Sequence, residues 1–96
     1  MITHVVMFTL ADSDDVAEAV QRLEAMSGQI PGLAHITAGA DQNRGPAAHD
    51  VVLVTRHEDA AALQAYAEHP VHQEVIAWLK PRWTQRAVVD TEDLAF

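Results

Sequence analysis

The residues best suited to acid–base chemistry lie in one stretch, "YAEHPVHQEV" at residues 66–75. It holds Tyr66, His69 and His72, with a proline between the two histidines. A histidine with a pKa of ~6.5 can take a proton from a carbon beside a carbonyl, and a tyrosine hydroxyl can hydrogen-bond the enolate oxygen that develops. Such a pair needs no metal and no cofactor. The stretch is therefore a candidate acid–base centre.

Two other interpretations of this stretch compete with the enzymatic one. In the first, His72 hydrogen-bonds the backbone at a helix joint, and Tyr66 packs its ring beneath with the hydroxyl at the surface. In the second, His69 and His72 bind a metal together with His57 or Glu68. A metal site needs three or four convergent ligands, and two histidines that flank a proline are more often a capping feature. We therefore expect neither a metal nor a cofactor.

A further histidine of interest, His4, lies in the N-terminal segment. Residues 2–10 alternate with the period of a β-strand. One face of this strand carries Ile2, His4, Val6, Phe8 and Leu10. A buried polar side chain costs ~1–3 kcal/mol unless it finds a partner, so His4 marks either a cavity or a satisfied core histidine. His35 and His57 lie near predicted strand ends, and we expect both to face water.

The elements that must position these residues follow from periodicity and from turn and cap residues. Helices are predicted over residues 11–28, 58–69 and 71–79, with a break at Pro70, and further strands over residues 33–41, 50–57 and 82–90. The order is that of a split βαβ, ferredoxin-like fold. We therefore predict the α+β class: a βαββαβ protomer with a four-stranded antiparallel sheet and its helices on one face.

The other face of this sheet has no predicted cover. Val6, Phe8 and Leu10, with alternate residues of "VVLV", are expected to place apolar side chains on it. An exposed apolar patch of several hundred Å² is unusual on a monomer, and a second sheet packed face to face would bury it. We therefore expect a homodimer through the open sheet face, which a charged residue in place of Phe8 should split and unfold together.

Composition excludes several functions. Ninety-six residues suit a single domain, predicted over residues 1–96, and the absence of cysteine excludes disulfides and thiolate chemistry. Fourteen acidic and six basic side chains give a net charge of −8, which disfavours nucleic acid and anionic membranes as partners. No apolar run approaches the ~20 residues of a membrane span, and the N-terminus lacks signal-peptide features. We therefore expect a cytoplasmic protein.

Three stretches together resemble the stress-responsive dimeric α/β barrel (Dabb) domain family. They are "ITHVVMFTL", "IPGLAHITAGAD" and "HDVVLVTRHEDAAALQAYAEHPVHQEVIAWLKP". The most specific feature is the Tyr-x-x-His-Pro-x-His joint after the "DVVLV" strand. The resemblance implies a ferredoxin-like protomer whose sheet closes into a barrel with the sheet of a second copy.

The resemblance also implies a site. In a plant polyketide cyclase of this family, which closes its substrate by aldol condensation, the tyrosine and the last histidine of the joint are catalytic. Tyr66 and His72 match those positions, and His4 matches a histidine that lines the cyclase pocket. Where the third strand of that cyclase has a further histidine, this chain has Val51, with His49 two residues earlier. We accordingly predict Tyr66, His72 and His4 as catalytic residues and a substrate pocket lined by Val6, Phe8, Val51, Leu53 and His69.

These patterns lead to one principal hypothesis and two alternatives. The principal one is a small homodimer with a pocket for a small apolar or carbonyl-containing molecule. As an enzyme it would be a cofactor-free cyclase, isomerase or lyase, with His72 as general base, Tyr66 as enolate stabiliser and His4 as a positioning group. The alternatives are a non-catalytic binding or stress-stability protein, whose dimer is the functional unit, and a cofactor-independent oxygenase.

Overall fold

A computed structural model describes residues 1–94 as a four-stranded sheet covered by helices. The elements are β1 (Ile2–Leu10), α1 (Val16–Glu24), β2 (Leu33–Ala40), β3 (Val51–His57), α2 (Ala60–Glu68), α3 (Pro70–Leu79) and β4 (Trp83–Glu92). The strands are ordered β2-β3-β1-β4, and every neighbouring pair is antiparallel. The predicted α+β class and ferredoxin-like order are therefore confirmed. Within residues 1–94 no helix has the length and apolar character needed to cross a membrane.

The joint between α2 and α3 forms where the sequence predicts a break. His69 adopts an extended conformation, with φ −67° and ψ 138°, because a residue that precedes proline is disfavoured in the helical region. Pro70 then occupies the first turn of α3, where its missing N–H costs no hydrogen bond. The Nδ1 of His69 accepts a hydrogen bond of 3.1 Å from the backbone N–H of Val71 and thereby caps α3.

The core lies between the helices and the face of the sheet that the sequence interpretation had left bare. Val6, Phe8 and Leu10 are 2%, 1% and 6% exposed and pack with helix residues such as Leu23 and Leu79. Their predicted place on the uncovered face is therefore wrong, as is the expectation that a charge at Phe8 would act on a dimer surface. Both faces of β1 are largely apolar, so its alternation defines two faces without indicating which one the helices cover.

The face opposite the helices is here called the outer face. It carries the other alternate residues of the strands, and in register Val5 lies between Val54 and Val89, while Met7 lies beside Val52. The exposed fractions of Met7, Val52 and Val89 are 37%, 39% and 58%. The sheet thus has an uncovered apolar face, as predicted, but a different set of residues forms it.

Candidate active site

Four rings from four elements gather beneath the joint between α2 and α3: His4 of β1, His57 at the end of β3, Tyr66 of α2 and His72 of α3. We call them the histidine–tyrosine cluster. The ring centre of Tyr66 lies 4.4 Å from that of His72, 4.7 Å from that of His57 and 6.2 Å from that of His4. The structure thus brings together the three residues predicted to be catalytic and adds a third histidine to them. Their catalytic roles stay predictions.

His57 is buried, with 0% of its surface exposed, and the prediction that it faces water is wrong. It lies on the helix-facing side of β3, and α2, which follows directly, places Tyr66 over it. Its Nε2 lies 2.8 Å from the hydroxyl of Thr55, and its Nδ1 has no partner among residues 1–94. The signal that could have found it is the alternation Val51, Leu53, Thr55, which places His57 on the same face.

Tyr66 is 1% exposed, and its hydroxyl has no hydrogen-bond partner within the described chain. The interpretation that places this hydroxyl at the surface is therefore wrong. Burial raises the pKa of Tyr66 well above its ordinary value, and the positive charge of Arg86 opposes this only partly. The phenol consequently keeps its proton at neutral pH and is a hydrogen-bond donor that the folded chain leaves available.

The ring of His72 is held by a backbone carbonyl that has no helical partner, because the helix breaks at Pro70. In a continuous helix the carbonyl of Ala67 would accept from the N–H of Val71, but that N–H bonds to His69 instead. The Nδ1–H of His72 donates to the Ala67 carbonyl at 3.0 Å, so the lone pair of the neutral ring is on Nε2. Burial lowers the pKa of His72 below 6.5, against the opposing effect of the Ala67 bond. At pH 7 the ring is a neutral proton acceptor.

His4 forms a pair with Asp90, which lies opposite it on β4. Because a carboxylate only accepts, the Nδ1–H of His4 must donate to Asp90, which leaves the lone pair of a neutral His4 ring on Nε2. His4 is thus a satisfied, largely buried histidine, with 11% of its side chain exposed. The sequence interpretation missed Asp90, because its partner could be identified only once the register of β1 and β4 was known.

The residues predicted to line a substrate pocket lie in the core or at the helix joint, and the pocket itself stays a prediction. Val6, Phe8, Val51 and Leu53 are core residues with at most 3% exposure, and His69 caps α3. Three surface grooves of about 380, 460 and 530 Å³ lie along loop 41–50, between α1 and α3, and along α1. Val51 borders the first, but none of the three is lined by a cluster residue. Beside the cluster on β4, Val88 and the His4 partner Asp90 are exposed.

The alternative of a metal site at the joint is not supported. His69 and His72 both direct Nδ1 to the backbone, and no group of three or more histidine, aspartate or glutamate side chains within residues 1–94 is arranged to hold a metal ion. His49, the other histidine near β3, lies 2.9 Å from the hydroxyl of Thr9. The acid–base groups available in the cluster are therefore histidine nitrogens around a protonated phenol.

The buried His57 predicts acid sensitivity of the fold. Burial, and secondarily the charge of a protonated His4, lowers the pKa of His57 from 6.5 to about 4. Between these two pH values the unfolded chain binds a proton at His57 and the folded chain does not. The stability of the fold with a neutral His57 is therefore fully present above pH 6.5 and is lost as pH falls toward 4. We expect a loss on the order of 3 kcal/mol, at ~1.4 kcal/mol per pKa unit.

The measurement is urea unfolding of the wild type, His57→Gln and His35→Gln over this pH range. His57→Gln should flatten the acid dependence, whereas His35→Gln, which removes an exposed histidine of β2, should leave it unchanged. An acid dependence that stays the same in His57→Gln would contradict the assignment of a neutral buried His57.

The fold and the cluster define a ferredoxin-like α+β protein with a buried tyrosine among three histidines, beneath a proline-broken helix. Comparison with known proteins agrees with this class. The sequence profile of the stress responsive A/B barrel domain matches residues 2–93, and the chain belongs to this Dabb family. The family resemblance seen in the sequence is thereby confirmed.

Individual relatives support the family and its dimeric fold. The chain is 34% identical over 82 residues to an uncharacterized protein of Streptomyces coelicolor, covering 80% of this chain and 84% of the relative. A dimeric ferredoxin-like protein of unknown function from Thermobifida fusca superposes with a TM-score of 0.83 at 26% identity, covering 94% and 88% of the two chains. A dimeric protein from Bacteroides fragilis gives a TM-score of 0.84 at 26% identity, over 95% and 94%.

Proposed function

We propose that this chain catalyses cofactor-free proton transfer at a carbon next to a carbonyl group, the first step of a cyclase, isomerase or lyase reaction on a small ketone. The observation that carries the proposal is the pairing of Tyr66 with His72. An unpartnered, protonated hydroxyl and a neutral ring with a free Nε2 lie side by side in a buried cluster. General-base catalysis requires such a proton acceptor, and oxyanion stabilisation requires such a donor.

The proposed proton transfer needs no group beyond the substrate and the cluster. His72 Nε2 takes the proton from the carbon, the C–H electron pair forms the C=C bond of an enolate, and the carbonyl oxygen accepts the O–H of Tyr66 as its negative charge develops. The imidazolium that results can return the proton to the same carbon or to another. His4, fixed by Asp90 through Nδ1, has its Nε2 available as a second proton acceptor that can relay the proton.

We further propose that the functional unit is a homodimer in which two outer faces pack into a barrel. Met7, Val52 and Val89 are 37–58% exposed on this face, and large exposed apolar patches are unusual on monomers. Structural relatives at 26% identity are dimeric. Face-to-face packing of two sheets would exclude water from these side chains without using the face that carries the cluster.

Deuterium exchange provides a test that does not depend on knowing the natural substrate. In D₂O, a panel of small ketones and 1,3-diketones should exchange the hydrogens next to the carbonyl faster with the wild type than with Tyr66→Phe. The substitution removes one oxyanion donor, and the expected loss is about 10²–10³-fold. NMR integration of the ketone signals measures the rate, and His35→Gln is the matched control. Equal rates with wild type and Tyr66→Phe for every ketone would overturn the proposal.

A wild type that accelerates no exchange would instead favour the non-catalytic binding or stress-stability hypothesis, in which the cluster only shapes a ligand site. The two hypotheses are distinguishable because a binding site without catalysis would still perturb the NMR signals of its ligand. The oxygenase hypothesis remains a prediction that no contact in the cluster specifically favours.

A further inference from the structure

Arg86 lies on β4, the strand that also carries Asp90, the partner of His4 in the histidine–tyrosine cluster. It is opposite Phe8 in register and therefore on the helix-facing side of the strand, like Val88 and Asp90. This side of β4 is open to solvent, with Val88 40% exposed. The guanidinium carbon of Arg86 lies 5.3 Å from the ring centre of Trp83, which stacks on Phe8 at 5.5 Å. Stacking orients a guanidinium while leaving the N–H groups in its plane available.

Arg86 also lacks the acidic neighbour that most arginines of this chain have. Arg22, Arg44 and Arg82 each form an ion pair with a nearby carboxylate. No carboxylate within residues 1–94 forms such a pair with Arg86, although acidic residues outnumber basic ones by fourteen to six. Asp90, the acid nearest to it on the same side of β4, is bonded to His4.

Arg86 is also close in the fold to the cluster that contains the proposed reacting residues, Tyr66 and His72. On the helix-facing side of β4, only Val88 lies between Arg86 and Asp90, the partner of His4 in the cluster. The positive charge of Arg86 also lowers the pKa of both Tyr66 and His72. An anion bound to Arg86 would therefore lie close enough to the cluster for a small molecule to reach both.

We propose that Arg86 binds a carboxylate of the substrate, so that the substrate class is a small keto acid whose carbonyl reaches Tyr66 and whose acidic carbon reaches His72. This inference rests on the proposed function and names its substrate class. The guanidinium would donate two parallel N–H···O bonds to the carboxylate oxygens, a geometry that suits its planar fork. Val88, beside it on β4, would contact the methylene groups between the two ends of the substrate.

The test measures binding rather than turnover. The probes are 4-oxopentanoate, 5-oxohexanoate and 6-oxoheptanoate, each compared with its methyl ester, which keeps the ketone and removes the charge. Titrations followed by NMR of the protein amides give the dissociation constants. At low ionic strength we expect at least one keto acid to bind the wild type about tenfold more tightly than its ester, the range of a charge-assisted pair.

Three variants assign this preference to a residue. Arg86→Gln should abolish it, and Arg86→Lys should keep part of it, because lysine retains the charge but not the paired N–H groups. Arg44→Gln removes the same charge from an exposed loop and should leave the preference intact. Thermal unfolding of each variant checks that the fold is retained.

The results separate this inference from the proposed function. A preference for keto acids that disappears in Arg86→Gln supports the carboxylate site, even where no deuterium exchange is catalysed. Exchange of neutral ketones without any preference for the acids would overturn the carboxylate site and leave the proposed function standing. The inference is also overturned if no keto acid binds in the millimolar range, or if Arg86→Gln keeps the preference.

Discussion

Replacing His72 with alanine should slow deuterium exchange into a ketone by about 10²–10⁴-fold, the usual contribution of a general base. The substitution removes the proposed proton acceptor at Nε2 while leaving the helix joint intact. The Ala67 carbonyl that His72 contacts also accepts a hydrogen bond of 2.6 Å from the side chain of Gln73, so it would not be left without a partner. The rate of exchange and the circular dichroism spectrum of the variant, both relative to wild type, provide the measurement.

The pH dependence of the same rate identifies the acceptor. A general base acts in its unprotonated form, so the rate should rise with pH through the pKa of His72, which lies below 6.5, and then stay level. Protonated Tyr66 should persist past pH 10, because burial raises its pKa above that ordinary value, and no fall in rate is expected at neutral pH. A rate that rises only above pH 7, or a His72→Ala variant as fast as wild type, would contradict the assignment.

The helix joint shows how far the sequence determines the site. Proline restricts the conformation of the residue before it and lacks an N–H, so local rules predicted both the break at Pro70 and the capping role of a neighbouring histidine. The direction of His72 did not follow from helical spacing, because the break changes the axis between Tyr66 and His72. Its ring position depends on a carbonyl that becomes available only when Val71 bonds to His69.

The members of the cluster that the sequence interpretation missed depend on contacts between distant segments. His57 was placed in water because it ends a strand, yet α2 returns over that strand end and buries it. Asp90 lies eighty-six residues from His4, and only the antiparallel register of β1 and β4 makes them neighbours. Period-two alternation does indicate that each shares a face with other residues of its own strand. It does not identify the residue across the sheet.

The two faces of β1 show the same limit of interpretation from sequence. They also allow the core and the proposed dimer interface to be tested separately. Phe8 and Met7 are adjacent, both apolar, and directed to opposite sides of the sheet. Phe8 is 1% exposed beneath the helices and Met7 is 37% exposed on the outer face. A substitution at either position therefore changes only one of the two apolar surfaces, which makes the pair a matched test of the proposed dimer.

Phe8→Ala should lower the free energy of unfolding by about 3–5 kcal/mol, the usual cost of truncating a core phenylalanine, because it leaves a cavity between the sheet and the helices. Met7→Glu should instead separate the dimer, because it places two carboxylates in an apolar interface. Burying these two charges costs more free energy than leaving the outer faces exposed to water. Urea unfolding measures the first effect. Sedimentation velocity at micromolar protein concentration measures the second, with a circular dichroism spectrum close to that of wild type. A Met7→Glu protein that remains dimeric would exclude the outer face as the interface, and a Phe8→Ala protein as stable as wild type would contradict the position of the core.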